Sequence, residues 1–295
     1  MQRLLTIKKQ ITTNYLSNNS NTKNNNNNNN NNYPIYNLLN ISTSITNKYV
    51  KIITINSPKN LNSLSDSLSK ELLEAFEFLY NDNNTKVIIL TGSGKSFIAG
   101  ADIKKLQTLT YEYKLKHTEI LANLINIMYS CKKPVIAAVN GFCFGGGFEM
   151  ALNCDIILAS EKAQFALPEI KLGLFPGLGG TQKLTKIVGN LKASEYILTG
   201  KNIPLEEALK LGIINQVYKH EDLMKKAEEM ANTIANYSLV SVINAKQCIQ
   251  MANEVGLKHG LWYEKSLFDS QFAFKDTLEG TSAFIDKRKP NFKDC

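Results

Sequence analysis

Apolar positions along this chain switch repeatedly between two spacings. Val50 to Asn56 is rich in β-branched residues and predicts a strand, and Leu68, Leu72, Phe76 and Leu79 follow at helical spacing. Val87 to Leu90 predicts a second strand, ended by Thr91-Gly92-Ser93-Gly94. Leu115 through Met128 predicts a helix with Leu121, Leu124 and Met128 on one face. Pro134 opens a strand from Val135 to Val139, the glycines at 145–147 start a short helix to about Asn153, and Ile156 to Ala159 reads as strand again. Such alternation predicts an α/β domain.

The character changes after Gly180. Thr181 to Val188 reads as helix, with Gly189 suited to its C-cap, and further helices are expected at Ala193–Leu198 and Leu205–Leu211. A strand from Ile213 to Val217 comes next. Beyond it Leu223–Ala235 and Val240–Val255 carry helical periods, and Trp262–Phe274 is aromatic-rich.

Composition changes the picture mainly at the N-terminus. The net charge is +8, but the first acidic residue is Asp66, and Arg3, Lys8, Lys9, Lys23, Lys48, Lys51 and Lys59 precede it. Half of the excess, Arg3, Lys8, Lys9 and Lys23, lies outside the predicted core, and no basic stripe is read on the fold itself, which argues against a nucleic-acid partner. Met1 to Leu16 mixes apolar, basic and hydroxyl residues without an acid, the pattern of a mitochondrial import sequence; a basic tail is the alternative. Asn24 to Asn32 is an unbroken asparagine tract with nothing to bury. We therefore expect residues 1–45 to be a targeting segment and disordered linker, 46–235 an α/β core and 236–295 a helical C-terminal region. No apolar run approaches the ~20 residues that span a bilayer, so no membrane insertion is expected.

Several chemistries lack their residues. The cysteines, Cys131, Cys143, Cys154, Cys248 and Cys295, include no C-x-x-C pair and suit neither a zinc site nor a disulfide framework. Gly92-Ser93-Gly94-Lys95-Ser96 resembles the end of a phosphate loop, but Ile89 stands where that motif needs its first glycine. His117, His220 and His259 have no partners at ligand spacing and read as surface residues.

Two glutamates are less easily set aside. Glu149 closes the run Asn140-Gly141-Phe142-Cys143-Phe144-Gly145-Gly146-Gly147-Phe148-Glu149 and sits among apolar neighbours, where a carboxylate is costly without a task or a partner. Glu169 follows Phe165-Ala166-Leu167-Pro168, and Pro176-Gly177-Leu178-Gly179-Gly180-Thr181 lies just beyond. Two nearby carboxyls can divide a proton transfer between acid and base. The glycines let backbone N–H groups approach a ligand.

At these residues the chain resembles the enoyl-CoA hydratase/isomerase (crotonase) family, nearest to its mitochondrial short-chain members. Further matching blocks are Asn56 to Leu64, Gly100-Ala101-Asp102-Ile103-Lys104 and Phe284 to Lys289. The resemblance implies an α/β crotonase-like spiral of ββα repeats with a helical C-terminal trimerisation region, two trimers stacking into a homohexamer. It implies Glu149 and Glu169 as the catalytic pair and the N–H groups of Ala101 and Gly146 as the oxyanion hole. It implies that Ala101, Asp102, Ile103, Lys104, Gly146 and Gly177 contact the acyl-CoA thioester, and that Lys287 reaches its nucleotide end, often across a subunit boundary. The implied activity is water addition to the 2,3 double bond of a trans-2-enoyl-CoA in fatty acid β-oxidation, in the mitochondrial matrix, with no metal or redox cofactor. Ser57, Asn60 and Leu167 depart from the usual Arg, Ala and Gln of the family. A branched enoyl-CoA (methylglutaconyl-CoA) hydratase and an enoyl-CoA isomerase are the alternatives. An RNA-binding or scaffolding member would be expected to lack the glutamates or to carry a basic helix.

Overall fold

In the computed structural model, which describes residues 33–108 and 110–295 and at Lys104 the backbone alone, consecutive strands are dealt to two different sheets. The chain runs β1 (Leu39–Thr43), β2 (Val50–Ile55), α1 (Asp66–Asn81), β3 (Val87–Gly92), β4 (Ser96–Ile98), α2 (Ile103–Thr108) and α3 (Tyr111–Ser130). It continues through β5 (Val135–Val139), β6 (Phe142–Phe144), α4 (Gly146–Leu152), β7 (Ile156–Ser160) and β8 (Gln164–Ala166). It ends with α5 (Gly180–Thr199), α6 (Leu205–Lys210), β9 (Gln216–Tyr218), α7 (Leu223–Ala235), α8 (Leu239–Met251), α9 (Leu257–Gln271) and α10 (Lys275–Ile285). The large sheet has the order β1-β2-β3-β5-β7-β9 and the small one β4-β6-β8. In each of the pairs β3/β4, β5/β6 and β7/β8 the first strand enters the large sheet and the second the small one, with helix following. This is the repeated ββα unit that the family resemblance implies.

Alternation along the strands explains the two cores. In β3, Val87 and Ile89 face one way and pack with Ala227, Ala231 and Ala235 of α7. Ile88 and Leu90 face the other way, into the main core with Phe76, Phe97, Phe148 and Phe165. The helical face predicted for α1 is buried as Leu68, Leu72, Phe76 and Leu79, and Ser65 caps the helix by accepting a hydrogen bond from Leu68 N–H at 3.2 Å.

Two expectations need correction. Residues 33–45 are not a linker: β1 pairs antiparallel with β2, and Leu39 is 1% exposed. Its alternation, Leu39 and Ile41 inward against Asn40 and Ser42, is a short edge pattern embedded in polar sequence. The strand expected at Ile213–Val217 starts later, at Gln216; Ile213 and Ile214 are buried as a turn, held by N–H donation to Ala208 O at 2.9 and 3.3 Å. Gly189, at φ 78°, breaks the helical run within Gly180–Thr199, as expected of a helix end there, and helix resumes beyond it. The expected import segment Met1–Leu16 and the asparagine tract Asn24–Asn32 lie outside the described residues. No helix among the described residues is long and apolar enough to cross a membrane.

Candidate active site

The small sheet positions the candidate residues. Its three strands are parallel neighbours. Chain leaving β4 reaches Gly100 and Ala101, chain leaving β6 reaches Gly145 and Gly146, and chain leaving β8 reaches Pro168 and Glu169. Three segments far apart in sequence thus emerge side by side at the same end of one sheet.

Gly145 turns β6 into α4 with φ 52°, and its N–H donates to Ala166 O at 2.9 Å, binding the β6 exit to the β8 exit. A Cβ there would lie 3.1 Å from Glu169 Oε1. Gly147 lies so close to β4 that a Cβ would come within 2.1 Å of Ile98 O. The glycine run therefore serves close backbone approach on two sides.

Glu149 sits in the first turn of α4 and is 2% exposed. Its Oε1 accepts N–H bonds from Leu178 at 2.7 Å and Gly180 at 2.8 Å. Asn153 fastens that loop by donating to Leu178 O at 3.4 Å and to Glu149 O at 2.8 Å. Burial pushes the Glu149 carboxyl up to about 7, the nearby Glu169 carboxyl adds to the rise, and the loop N–H groups oppose it. Glu169 is half-buried, also raised by burial, and its Oε2 is enclosed with no hydrogen-bond partner among the described residues.

Both carboxyls line one cavity of about 710 Å³, together with Ala101, Ile103, Gly146 and Gly177. The Gly146 N–H is the first of its helix and has no intrahelical acceptor. Leu64 N–H donates to Gly100 O at 2.8 Å in a parallel bridge, and the Ala101 N–H meets no backbone acceptor among the described residues. Asp102 lies at the start of α2, where its Oδ1 accepts from Lys105 N–H at 3.2 Å, and it is not on the wall of this cavity. Lys104 is placed by its backbone on α2. Lys287 is not brought to the cavity: it lies exposed past the end of α10 with φ 53°. Among the described residues no cluster of three or more His, Cys, Asp or Glu side chains could hold a metal ion.

Two features of the site escaped the sequence reading. The Leu178 and Gly180 N–H donors to Glu149 were signalled only by the glycines around them. His117 is not a surface residue: it is 5% exposed, lines the cavity, and its Nδ1 lies 2.5 Å from Asp66 Oδ1. The signal was present, because His117, Leu121, Leu124 and Met128 share one helical stripe. His259 is exposed, and His220 is half-buried with Nδ1 3.1 Å from Ser160 Oγ.

Comparison with known proteins agrees with this arrangement. The family pattern described as Enoyl-CoA hydratase/isomerase matches residues 46–295. The chain is 43% identical to a probable mitochondrial enoyl-CoA hydratase of Dictyostelium discoideum, over 85% of this chain and 90% of that one. It is 46% identical to the mitochondrial enoyl-CoA hydratase of Pongo abelii, over 84% and 85%. A crystal structure of an enoyl-CoA hydratase from Bacillus anthracis superposes with a TM-score of 0.84 at 37% identity, covering 87% of this chain and 100% of that one. The strand exits, the enclosed carboxyls and these likenesses place the chain in the enoyl-CoA hydratase/isomerase family.

Proposed function

We propose that this protein is an enoyl-CoA hydratase that adds water across the 2,3 double bond of a trans-2-enoyl-CoA to give the 3-hydroxyacyl-CoA. The observation that carries the reading is the pair of raised carboxyls, Glu149 and Glu169, enclosed in one cavity at the exits of adjacent parallel strands. A one-carboxylate double-bond isomerase has no use for the second.

Ionised Glu149 takes a proton from a water held between the carboxyls, and the hydroxide adds to the β-carbon. Negative charge moves to the thioester oxygen, where the Ala101 and Gly146 N–H groups receive it; losing one such donor costs ~10²–10³ in rate in other enzymes. Protonated Glu169 delivers its proton to the α-carbon. The pair then holds the proton of the consumed water on Glu149, and transfer to Glu169 resets the site. Burial favours the proton on Glu149 in the free site, so the proton must shift between the carboxyls as substrate and water enter. Coupled carboxyls titrate as a unit, so the proton belongs to the pair rather than to either glutamate alone. Water addition involves no net redox change, and in this scheme the two carboxyls move the protons while the two N–H groups receive the charge, so neither step is assigned to a metal or redox cofactor. Ile103 and Gly177 line the acyl-CoA path in this reading, Asp102 and Lys104 flank it, and Lys287 serves the nucleotide end from a neighbouring subunit.

A homohexamer in the mitochondrial matrix completes the reading. It is supported by the mitochondrial relatives and by the apolar surface of the C-terminal helices, where Trp262 is 74% and Phe272 69% exposed.

Isotope exchange tests the division of labour. Glu169→Gln should suppress both hydration and exchange of the α-hydrogen with solvent, whereas Glu149→Gln should suppress hydration while retaining part of the exchange. Loss of a general acid or base should cost roughly 10²–10⁴ in rate. The opposite pattern of exchange would reverse the two roles.

A further inference from the structure

The loop that holds Glu149 has few ties of its own. It runs Pro176-Gly177-Leu178-Gly179-Gly180, Gly179 takes φ 104°, and Leu178 O receives no backbone N–H among the described residues. The N–H groups of Leu178 and Gly180 both end on Glu149 Oε1. A carboxyl that gives and takes a proton in every turnover is a poor sole anchor for such a loop. Bonds to its ionised form are the strong ones, and they slacken when it is neutral.

The side chain of Asn153 supplies a tie that does not change with charge. Asn153 is the C-cap of α4, is 8% exposed, and is not on the wall of the cavity that holds both glutamates. Its Nδ2 donates to Glu149 O at 2.8 Å and to Leu178 O at 3.4 Å. Helix capping alone does not account for the amide, because Glu149 O already accepts the Asn153 backbone N–H at 3.1 Å. What the side chain adds is the link to Leu178. That residue serves both halves of the site. Its N–H meets Glu149, and its side chain packs over Gly146, where a Cβ would lie 3.3 Å from Leu178 Cδ1.

We propose that Asn153 is a positioning residue for the hydration step: by tying Leu178 to the end of α4, it keeps the Leu178 and Gly180 N–H groups on Glu149 through both of its protonation states. The inference rests on the hydratase reading above.

Two neutral variants separate the two bonds. Asn153→Leu removes the amide at similar volume. In Asn153→Ser the hydroxyl can still reach the carbonyl four residues back but is too short to reach Leu178 O as well. The readout is the pH profile of crotonyl-CoA hydration by the full-length protein, after circular dichroism has established that each variant folds. With the loop loosened, the N–H groups that oppose the rise of Glu149 do so less, and the proton shared by the pair settles more on Glu149. In both variants kcat should fall about 10-fold on the plateau. The alkaline limb, where the pair loses its last proton, should move up by about one pH unit. KM should stay near the parental value. Folded variants with the parental profile, or with a change confined to KM, would overturn the inference and leave Asn153 a helix cap. A parental profile in Asn153→Ser beside a shifted one in Asn153→Leu would overturn it too, since the bond to Glu149 O would then suffice. If Asn153→Leu does not fold, Asn153→Ser decides alone, and failure of both to fold would make Asn153 a stability residue and overturn the inference. All these outcomes spare the hydratase reading; a folded parent that does not hydrate crotonyl-CoA would sink both.

Discussion

Glu149 is a carboxyl whose surroundings act in opposite directions. Burial and the Glu169 carboxyl favour its protonated form, and the N–H groups of Gly180 and Leu178 favour the ionised one; the result is a group lifted from 4.5 to about 7. A carboxyl raised in this way binds its proton more tightly folded than unfolded. The protein is therefore not penalised below about pH 4.5, and stability is lost as pH rises from there through 7. By linkage the loss above pH 7 is on the order of 3 kcal/mol. Glu149→Gln keeps the shape and the acceptor oxygen but has no charge to bury. It should melt at a higher temperature than the parent at pH 8, and the difference should shrink toward zero at pH 4. Equal melting temperatures at pH 8 would count against the raised carboxyl. A site residue that weakens the fold at working pH is what a tuned acid–base group entails.

At the scale of elements, the three-residue strands β4, β6 and β8 do more for the site than any longer element. Their exits bring Ala101, Gly146 and Glu169 side by side. Ser96–Ile98 and Phe142–Phe144 are too short to show a period of two, and glycine-rich turns blur their ends. The long elements were legible, because α1 and α7 carry full helical stripes and β3 and β5 are continuous apolar runs. The paired glutamates were legible as well, since a lone acid among Phe148, Met150 and Leu152 is hard to explain by packing. The burial of His117 could be read from its stripe, but its partner Asp66 could not, because nothing in the sequence marks a group 51 positions away on another helix. Strand β1 was missed because its apolar residues alternate with Asn, Ser and Thr. It matters for stability, since it covers the edge of β2. A chain that starts at Tyr33 should keep its urea midpoint, whereas one that starts at Thr46 should unfold at lower urea and aggregate more readily. Equal midpoints would show that β1 adds nothing to the sheet.

Over the whole molecule, polar chemistry is gathered at one end of the small sheet and apolar surface at the C-terminal helices. Helix α9 has no buried residue in the isolated chain, although Leu257, Leu261, Trp262 and Phe268 all lie on it. In the proposed assembly this exposed apolar area is the association surface. Replacing Trp262 and Phe268 together by Ser should shift the particle mass in sedimentation toward a single chain, and an unchanged mass would remove these helices from the assembly. Both carboxyls, Ala101 and Gly146 line one cavity within a single chain, so activity tests the site directly. The most direct test of the central claim is therefore the rate of crotonyl-CoA hydration by the full-length protein beside its Glu149→Gln and Glu169→Gln variants. The account predicts robust hydration by the parent and a fall of roughly 10²–10⁴ in each variant, with CoA-thioester binding little changed. Hydration at the parental rate in both variants, or none in a folded parent, would contradict it.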